Sequence, residues 1–86
     1  LVVVDSRAAA LEEAGDLIIP LQNGDITQEH VVAELGEIVT GIHPGRTDPS
    51  QITFFKSVGV AVQDAAAASI ALSNALANGL GTTITL

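Results

Sequence analysis

The sequence of 86 residues contains no cysteine, methionine, tryptophan or tyrosine, and only two phenylalanines. The absence of cysteine excludes a disulfide framework and any metal site built from thiolates. It also gives no sign of an oxidising compartment, so a cytoplasmic location is the expectation. The chain is nevertheless 48% hydrophobic, which is too high a fraction for an intrinsically disordered segment. A folded chain is therefore predicted.

Basic residues are the second shortage. The chain has three lysine and arginine residues in total and ten aspartate and glutamate residues, so its formal net charge is −7. So few cations cannot neutralise a phosphate backbone, which argues against a nucleic-acid-binding protein. An acidic chain is also a poor ligand for anionic lipid surfaces. We therefore expect neither a nucleic acid nor a membrane as partner.

Charged side chains are absent from residues 65–86, which are rich in alanine. A membrane-spanning helix needs about 20 strongly apolar residues. Here Asp64, Ser69, Ser73 and Asn74 interrupt the apolar sequence, and alanine contributes little to membrane insertion. The pattern predicts a helix that packs closely on other protein.

The lack of methionine extends to the first position, because the chain opens on Leu1-Val2-Val3-Val4. A continuous β-branched run of this kind is typical of a strand that is covered on both faces, as in parallel sheets. The run is too short for the core of a signal peptide, and Asp5 follows it at once. An opening inside a core element leads us to expect a segment of a longer chain.

Hydrophobic periodicity and turn residues predict alternating strands and helices. In chain order the predicted elements are a strand at 1–4, a helix at 7–14 ended by Gly15, an edge or connecting segment at 17–21 with Pro20, a helix from residue 25 or 27 to Gly41, a loop at 43–50, a strand at 52–55, a helix at 60–78 and a tail at 81–86 with the pattern of a strand. This order fits the end of an open α/β sheet. Three strands cannot complete such a sheet, which again predicts part of a larger domain.

Lys56 and Ser57 directly follow the predicted strand at 52–55. Ligands of open α/β sheets bind outside the carboxyl ends of the strands, and a helix N-terminus at that edge favours anions. Lys56 is the only lysine of the chain, and Gly59 permits a close approach of the backbone. The pattern is that of a contact to a phosphate, a ribose or a substrate carboxylate. The alternative is a surface lysine followed by a serine that caps a helix.

Structural roles are the first interpretation of the other polar residues. His30 is expected on a solvated helix and His43 in a loop, because neither has partners at metal-ligand spacing. Arg46 is expected to pair with Asp48 or to cap a carbonyl of the second helix. Asp5 is expected to cap the first helix, with a position in a cleft as the alternative.

The remaining acidic residues also give no specific indication of a functional role. Glu12, Glu13, Glu34 and Glu37 are expected on solvated helix faces, and Asp64 faces either a cleft or a polar rim. The sequence contains no Gly-x-Gly-x-x-Gly and no Walker loop. Spacing alone assembles no nucleophile with a base and an orienting group. No catalytic residue and no metal ligand is therefore predicted.

Several short motifs, taken together and in order, resemble the C-terminal part of the ornithine cyclodeaminase/mu-crystallin family. They are Val3-Val4-Asp5-Ser6-Arg7, Glu13-Ala14-Gly15-Asp16-Leu17, Glu34-Leu35-Gly36-Glu37-Ile38, Pro44-Gly45-Arg46, and Thr53-Phe54-Phe55-Lys56-Ser57-Val58-Gly59 with Gln63-Asp64. The block around Lys56, with Pro-Gly-Arg upstream, is the most specific of them. The match is loose from Ser73 onward.

The resemblance implies a two-domain enzyme. Residues 1–57 would form the C-terminal part of a Rossmann-type domain that binds NAD or NADP, and residues 58–86 a long helix and tail that return to a substrate and dimerisation domain. Members of the family include ornithine cyclodeaminases, alanine dehydrogenases, cyclic imine reductases and mu-crystallin. Their shared chemistry is hydride exchange between the Cα of an amino acid and a nicotinamide, and a homodimer is implied. By position, Lys56 and Ser57 resemble cofactor-contacting residues, and Val58 resembles a residue near the substrate.

The glycine fingerprint, the acidic residue that selects the dinucleotide, the catalytic aspartate loop and the substrate-binding lysine and arginine of the family all precede this segment. The 86 residues alone are therefore expected to be inactive. Two alternatives stay open: a non-enzymatic, mu-crystallin-like binding protein, and a helical interaction module that stands alone and dimerises through its alanine-rich helix.

Overall fold

The computed structural model describes residues 1–86, the whole of the chain. The elements in chain order are β1 (Val2–Val4), α1 (Arg7–Glu13), α2 (Gly15–Asn23), a 3₁₀ turn (Gln28–His30), β2 (Val31–Glu34), α3 (Leu35–Val39), β3 (Phe54–Lys56) and α4 (Ala61–Ala77). The three strands form one parallel sheet in the order β2-β1-β3. The predicted α/β class with a parallel sheet and a C-terminal helix is confirmed.

Strand β1 lies at the centre of the sheet, as its continuous valine run predicts. Val3 and Val4 point to opposite faces because side chains alternate along a strand, and both are buried. Val4 is fully buried in a cluster with Ala10, Ala14, Leu17 and Val31. Helix α1 contributes Ala10, the junction between the helices Ala14, and helix α2 Leu17, so this face is covered with few large side chains.

The opposite face of the sheet is only partly covered. A cavity of about 260 Å³ opens there, lined among others by Val3, Ile38, Pro44 and Phe55. Phe55, which lies beside Val3 on this face, remains 50% exposed. An apolar sheet face of this kind is typical of a surface that other protein covers.

Helix α2 replaces the predicted edge segment at 17–21 and corrects it. Pro20 lies inside this helix and has no N–H to donate to the Asp16 carbonyl, which is why the sequence argued against a helix here. Burial of Leu17 against the Val4 cluster compensates for the missing hydrogen bond. Gly15 also does not end the first helix as predicted. It opens α2, and Ala14 ends α1 with φ of −84°.

The predicted second helix is wrong over its first half. Residues Val31–Glu34 form β2, which pairs with β1, and only Leu35–Val39 are helical. The spacing of Val31, Leu35 and Ile38 matched a helix, but pairing of the β-branched Val31-Val32 with β1 overrides that pattern. Gly24 ends α2 in the left-handed conformation, with φ of +79°.

Helix α4 spans Ala61–Ala77, against a prediction of 60–78, and is confirmed. None of its residues is buried. No helix of the chain combines the length and the hydropathy that crossing a membrane requires. Residues 81–86 do not form the predicted strand.

Candidate functional site

The carboxyl ends of all three strands meet at one edge of the sheet. Val4 is paired with Glu34 on one side and with Lys56 on the other. The residues that follow these ends are therefore neighbours, although 22 to 52 positions separate them in the sequence. In open α/β sheets this edge is where ligands bind.

Asp5, the first residue after β1, holds the turn that follows β3. Its Oδ2 atom accepts hydrogen bonds from the Ser57 hydroxyl at 2.6 Å, the Gly59 N–H at 3.0 Å and the Val58 N–H at 3.1 Å. Its Oδ1 atom accepts the Ser6 N–H at 2.8 Å. The Ser57 hydroxyl above all, with support from the Ser6, Gly59 and Val58 amides, lowers the pKa of Asp5 below its ordinary value of 3.8. Asp5 is consequently a carboxylate at neutral pH.

The expectation that Asp5 caps the first helix is corrected by this geometry. Ser6 is the N-cap of α1, and its hydroxyl accepts the Ala9 N–H at 3.4 Å. Because Ser6 takes the capping position, the carboxylate of Asp5 is directed to the neighbouring strand end. Asp5 therefore lies at the carboxyl edge of the sheet, although its position in the sequence favoured a structural role as a helix cap.

Arg7 joins the end of β1 to the end of β2. Its Nη2 atom lies 3.0 Å from Glu37 Oε2 and donates to the Val32 carbonyl at 3.1 Å, while its backbone N–H donates to Glu34 Oε1 at 2.8 Å. The Glu34 N–H and the Arg7 guanidinium, in that order, lower the pKa of Glu37. Glu34 and Glu37 are therefore half-buried members of a network and not the solvated helix residues that were expected.

Lys56 lies at the end of β3, where its Nζ atom pairs with Asp16 Oδ2 at 3.0 Å. Helix α4 begins only at Ala61, so Lys56 and Ser57 are not at its N-terminus as the sequence suggested. The N–H groups of Val58 and Gly59 are already bound by Asp5. The side chain of Val58 is half-buried and packs against the Val4 cluster.

The other candidate residues of the sequence have local partners. The Nδ1 atoms of His30 and His43 accept the Thr27 and Gly45 N–H groups. Arg46 donates to the Pro49 carbonyl and the Thr53 hydroxyl, and so pairs with neither Asp48 nor the second helix. Asp64 lies exposed in the first turn of α4.

The charges of the edge decide which part of a nicotinamide dinucleotide it fits. Four carboxylates surround two cations there, and Arg7 and Lys56 are both paired with carboxylates. A diphosphate needs unpaired N–H groups or cations, as at a glycine-rich helix N-terminus, whereas both cations of this edge are paired and the N–H groups of Arg7, Val58 and Gly59 already donate to carboxylates. The nicotinamide and its ribose carry amide and hydroxyl donors, and the oxidised ring is a cation. The residues at the edge fit that half of the molecule.

The comparison with protein families is decisive for the chain's membership. The sequence profile of the ornithine cyclodeaminase/mu-crystallin family matches residues 1–79. The chain belongs to this family.

Curated members of the ornithine cyclodeaminase/mu-crystallin family resemble the chain over most of its length. A Δ1-pyrroline-2-carboxylate reductase of Bacillus cereus is 45% identical over 80 residues, which are 93% of this chain and 25% of the reductase. An alanine dehydrogenase of Archaeoglobus fulgidus is 36% identical over 96% of this chain and 26% of its own length. The ketimine reductase mu-crystallin of Macropus fuliginosus is 45% identical over 78% of this chain and 18% of its own. The chain thus spans about a quarter of the first two relatives.

Two solved structures of the family share the fold. The Δ1-pyrroline-2-carboxylate reductase of Thermococcus litoralis, in complex with NADH and L-proline, is 48% identical and has a TM-score of 0.83 over 96% of this chain and 26% of its own. An archaeal alanine dehydrogenase dimer with bound NAD is 35% identical, with a TM-score of 0.70 over 99% of this chain and 26% of its own. The predicted family is confirmed, and the small parallel sheet is consistent with part of a Rossmann-type fold.

Spacing found Lys56 and Ser57 at the carboxyl edge, and the cofactor role of both, like the substrate role of Val58, stays a prediction. Spacing favoured a helix cap over a cleft position for Asp5 and a solvated helix face for Glu37, and it gave Arg7 no role. One signal pointed to Asp5: it follows a core strand directly, and a second capping residue comes next to it.

Proposed function

We propose that the protein carrying this chain is an NAD(P)-dependent oxidoreductase of amino acids. It exchanges a hydride between the Cα of an amino acid, or of the corresponding cyclic imine, and the nicotinamide. The observation that carries the proposal is the 48% identity and TM-score of 0.83 to a reductase that binds NADH and L-proline. A reduction of Δ1-pyrroline-2-carboxylate to proline is the specific reaction that this relative favours.

We further propose the division of the chain that its sequence predicts. Residues 1–57 belong to the dinucleotide-binding domain, and residues 58–86 pack on the substrate and dimerisation domain. The exposed α4 and the partly covered sheet face support this division, because both are surfaces that other protein can cover. The dimeric alanine dehydrogenase supports a homodimer for the whole protein.

The roles of the edge residues follow from their chemistry. Bound at this edge, the nicotinamide supplies the hydride exchange. Ser57 contacts the nicotinamide half of the cofactor through its hydroxyl. Lys56, held in place by its ion pair with Asp16, borders the cofactor site at the end of β3. Val58 packs against the Val4 cluster, which fixes the position of the turn, and from this position Val58 contacts the substrate. No residue of the 86 acts as a catalytic acid or base in this scheme.

Assays of the protein expressed from its complete reading frame test the proposal. We expect oxidation of NADH or NADPH that depends on Δ1-pyrroline-2-carboxylate, and the reverse reaction with L-proline and the oxidised cofactor. The absorbance of the reduced nicotinamide measures both reactions. L-Alanine and L-ornithine are assayed alongside, and release of ammonia from ornithine would instead identify a cyclodeaminase. Tight dinucleotide binding without turnover of any of these compounds would favour the non-enzymatic alternative.

The packing of α4 provides a separate prediction. Val62, Ala65, Ser69, Leu72 and Leu76 lie along one side of the helix, and Ala68 widens that side. Leucine at position 68 would overpack a close contact, so Ala68→Leu should destabilise the full-length protein by about 1–3 kcal/mol in denaturant unfolding. Ala67→Leu, on the opposite side of α4, is the matched control and should have little effect. Equal stability and equal oligomeric state of both variants would contradict the proposed packing.

A further inference from the structure

We propose that Asp5 is a positioning residue that fixes the Ser57 hydroxyl as a hydrogen-bond donor to itself, and so leaves the Ser57 oxygen to act only as an acceptor toward a bound ligand. The inference rests on the proposed function, since it specifies which groups of the dinucleotide the turn at 57–59 recognises.

The hydrogen bonds of Asp5 carry the inference. An ionised carboxylate can only accept hydrogen bonds, and Asp5, like an ordinary aspartate, is ionised at neutral pH; the hydrogen bonds from its partners lower its pKa further. The distance of 2.6 Å between Ser57 Oγ and Asp5 Oδ2 is typical of a hydroxyl that donates to a carboxylate. A serine hydroxyl has a single proton, and here that proton lies on the line to Asp5.

The rest of the turn is oriented by the same oxygen atom. The N–H groups of Val58 and Gly59 converge on Asp5 Oδ2, and the Gly59 N–H lies 3.2 Å from Ser57 Oγ as well. Gly59 adopts φ of +81°, in the region that favours glycine, and this conformation directs its N–H inward. The N–H groups of Val58 and Gly59 are therefore not available to an external anion.

The hydrogen-bonding state of Ser57 determines which ligand groups can bind to its oxygen. Ser57 is exposed, and its oxygen keeps one acceptor position free after the contact with Gly59. A carboxamide N–H or a ribose hydroxyl can donate to that position. An unprotonated phosphate or carboxylate cannot, and the negative charge of Asp5 repels it in addition. Of the three ligand groups that the sequence allowed at Lys56 and Ser57, the ribose fits the Ser57 oxygen and the two anions do not.

The test measures binding by the full-length protein with three probes. NADH, or NADPH where it binds more tightly, carries the carboxamide and both riboses; ADP-ribose lacks the carboxamide; ADP lacks the carboxamide and the adjoining ribose. Affinities are measured by calorimetric titration for the wild type, Asp5→Asn, Ser57→Ala and the double variant. Asp48→Asn is the matched control, because Asp48 also accepts a serine hydroxyl and an N–H, but in the loop before β3.

Asp5→Asn is expected to weaken the reduced dinucleotide on the order of tenfold, as loss of a hydrogen bond to a charged group would, and to leave ADP unchanged. Ser57→Ala should do the same, and the double variant should be no weaker than either single variant, because Asp5 acts through Ser57. A loss shared by ADP-ribose assigns the ribose as the partner, and a loss confined to the dinucleotide assigns the carboxamide.

Three outcomes would overturn the inference: unchanged dinucleotide affinity in Asp5→Asn, equal losses for ADP and the dinucleotide, or additive losses in the double variant. Should Asp5→Asn fail to fold, as judged by circular dichroism, Ser57→Ala with the same probes decides whether the oxygen accepts from the nicotinamide half. A wild-type protein that binds no dinucleotide overturns the proposed function itself, which separates that failure from the failure of the positioning role.

Discussion

Expressed by itself, the 86-residue chain is expected to unfold without a cooperative transition and to self-associate. Only 8 of its 86 residues are buried. Its radius of gyration is 17.8 Å, whereas a compact domain of this length has about 12 Å. A chain that buries so little cannot offset the conformational entropy that folding removes.

The exposed apolar surface has two parts, and each gives the isolated chain a reason to associate. Helix α4 exposes Val62, Ile70, Leu72 and Leu76 at 62–70% of their surface, and the sheet leaves Phe54 and Phe55, which lie on opposite faces of β3, 45% and 50% exposed. Large exposed apolar patches mark contact surfaces or aggregation-prone sites. Both parts lie where the proposed function requires contacts with the rest of the protein.

Thermal unfolding and size-exclusion chromatography test this expectation, with the full-length protein as the control. The isolated chain should give a broad, non-cooperative thermal transition and elute as an aggregate, whereas the full-length protein should unfold cooperatively. A monomer or a defined dimer with a single sharp transition would contradict the expectation. Such a result would favour the alternative of an interaction module that folds independently.

The sequence predicted the fold best where a local pattern and the tertiary environment agree. The valine run of β1 indicated a strand buried on both faces, and the alanine-rich pattern indicated α4 to within one residue at each end. Because β1 and β3 are parallel, the prediction that Lys56 and Ser57 lie at the carboxyl edge followed from the direction of the strands alone. These inferences needed no knowledge of long-range contacts.

Prediction failed where a long-range contact overrides a local pattern. Val31 and Val32 fit a helix by spacing but pair with β1, and Pro20 argued against a helix that the burial of Leu17 stabilises. The same reason explains why a helix cap was the first interpretation of Asp5. Asp5 is 52 positions from Ser57, and nothing local to either residue indicates that they meet.

The second large effect is expected in the core. Leu17→Ala should destabilise the full-length protein by about 2–5 kcal/mol, because truncating a buried leucine loses its transfer free energy and leaves a cavity. Leu17 is 4% exposed and is the largest side chain of the Val4 cluster, whose other members near it, Ala10 and Ala14, are too small to fill the space. Set against a typical stability of about 5–15 kcal/mol, this loss is severe.

Ile19→Ala is the matched control, because Ile19 lies two residues away on the same helix and is 59% exposed. Its effect should stay within about 0.5 kcal/mol, as for most surface substitutions. Both variants are compared by urea unfolding of the full-length protein. A Leu17→Ala protein as stable as the wild type would mean that α2 is held by contacts other than this cluster.

The consequence of Leu17→Ala extends from the core to the candidate site. Leu17 is adjacent to Asp16, and Asp16 pairs with Lys56 at the end of β3. A helix that shifts to fill the cavity moves Asp16 and loosens the fixed position of Lys56. We therefore expect Leu17→Ala to lower the affinity for the reduced dinucleotide along with the stability, while Ile19→Ala changes neither. Lost stability with unchanged affinity would show that the Asp16–Lys56 pair tolerates movement of α2, and that the edge is organised by Asp5 rather than by the helix.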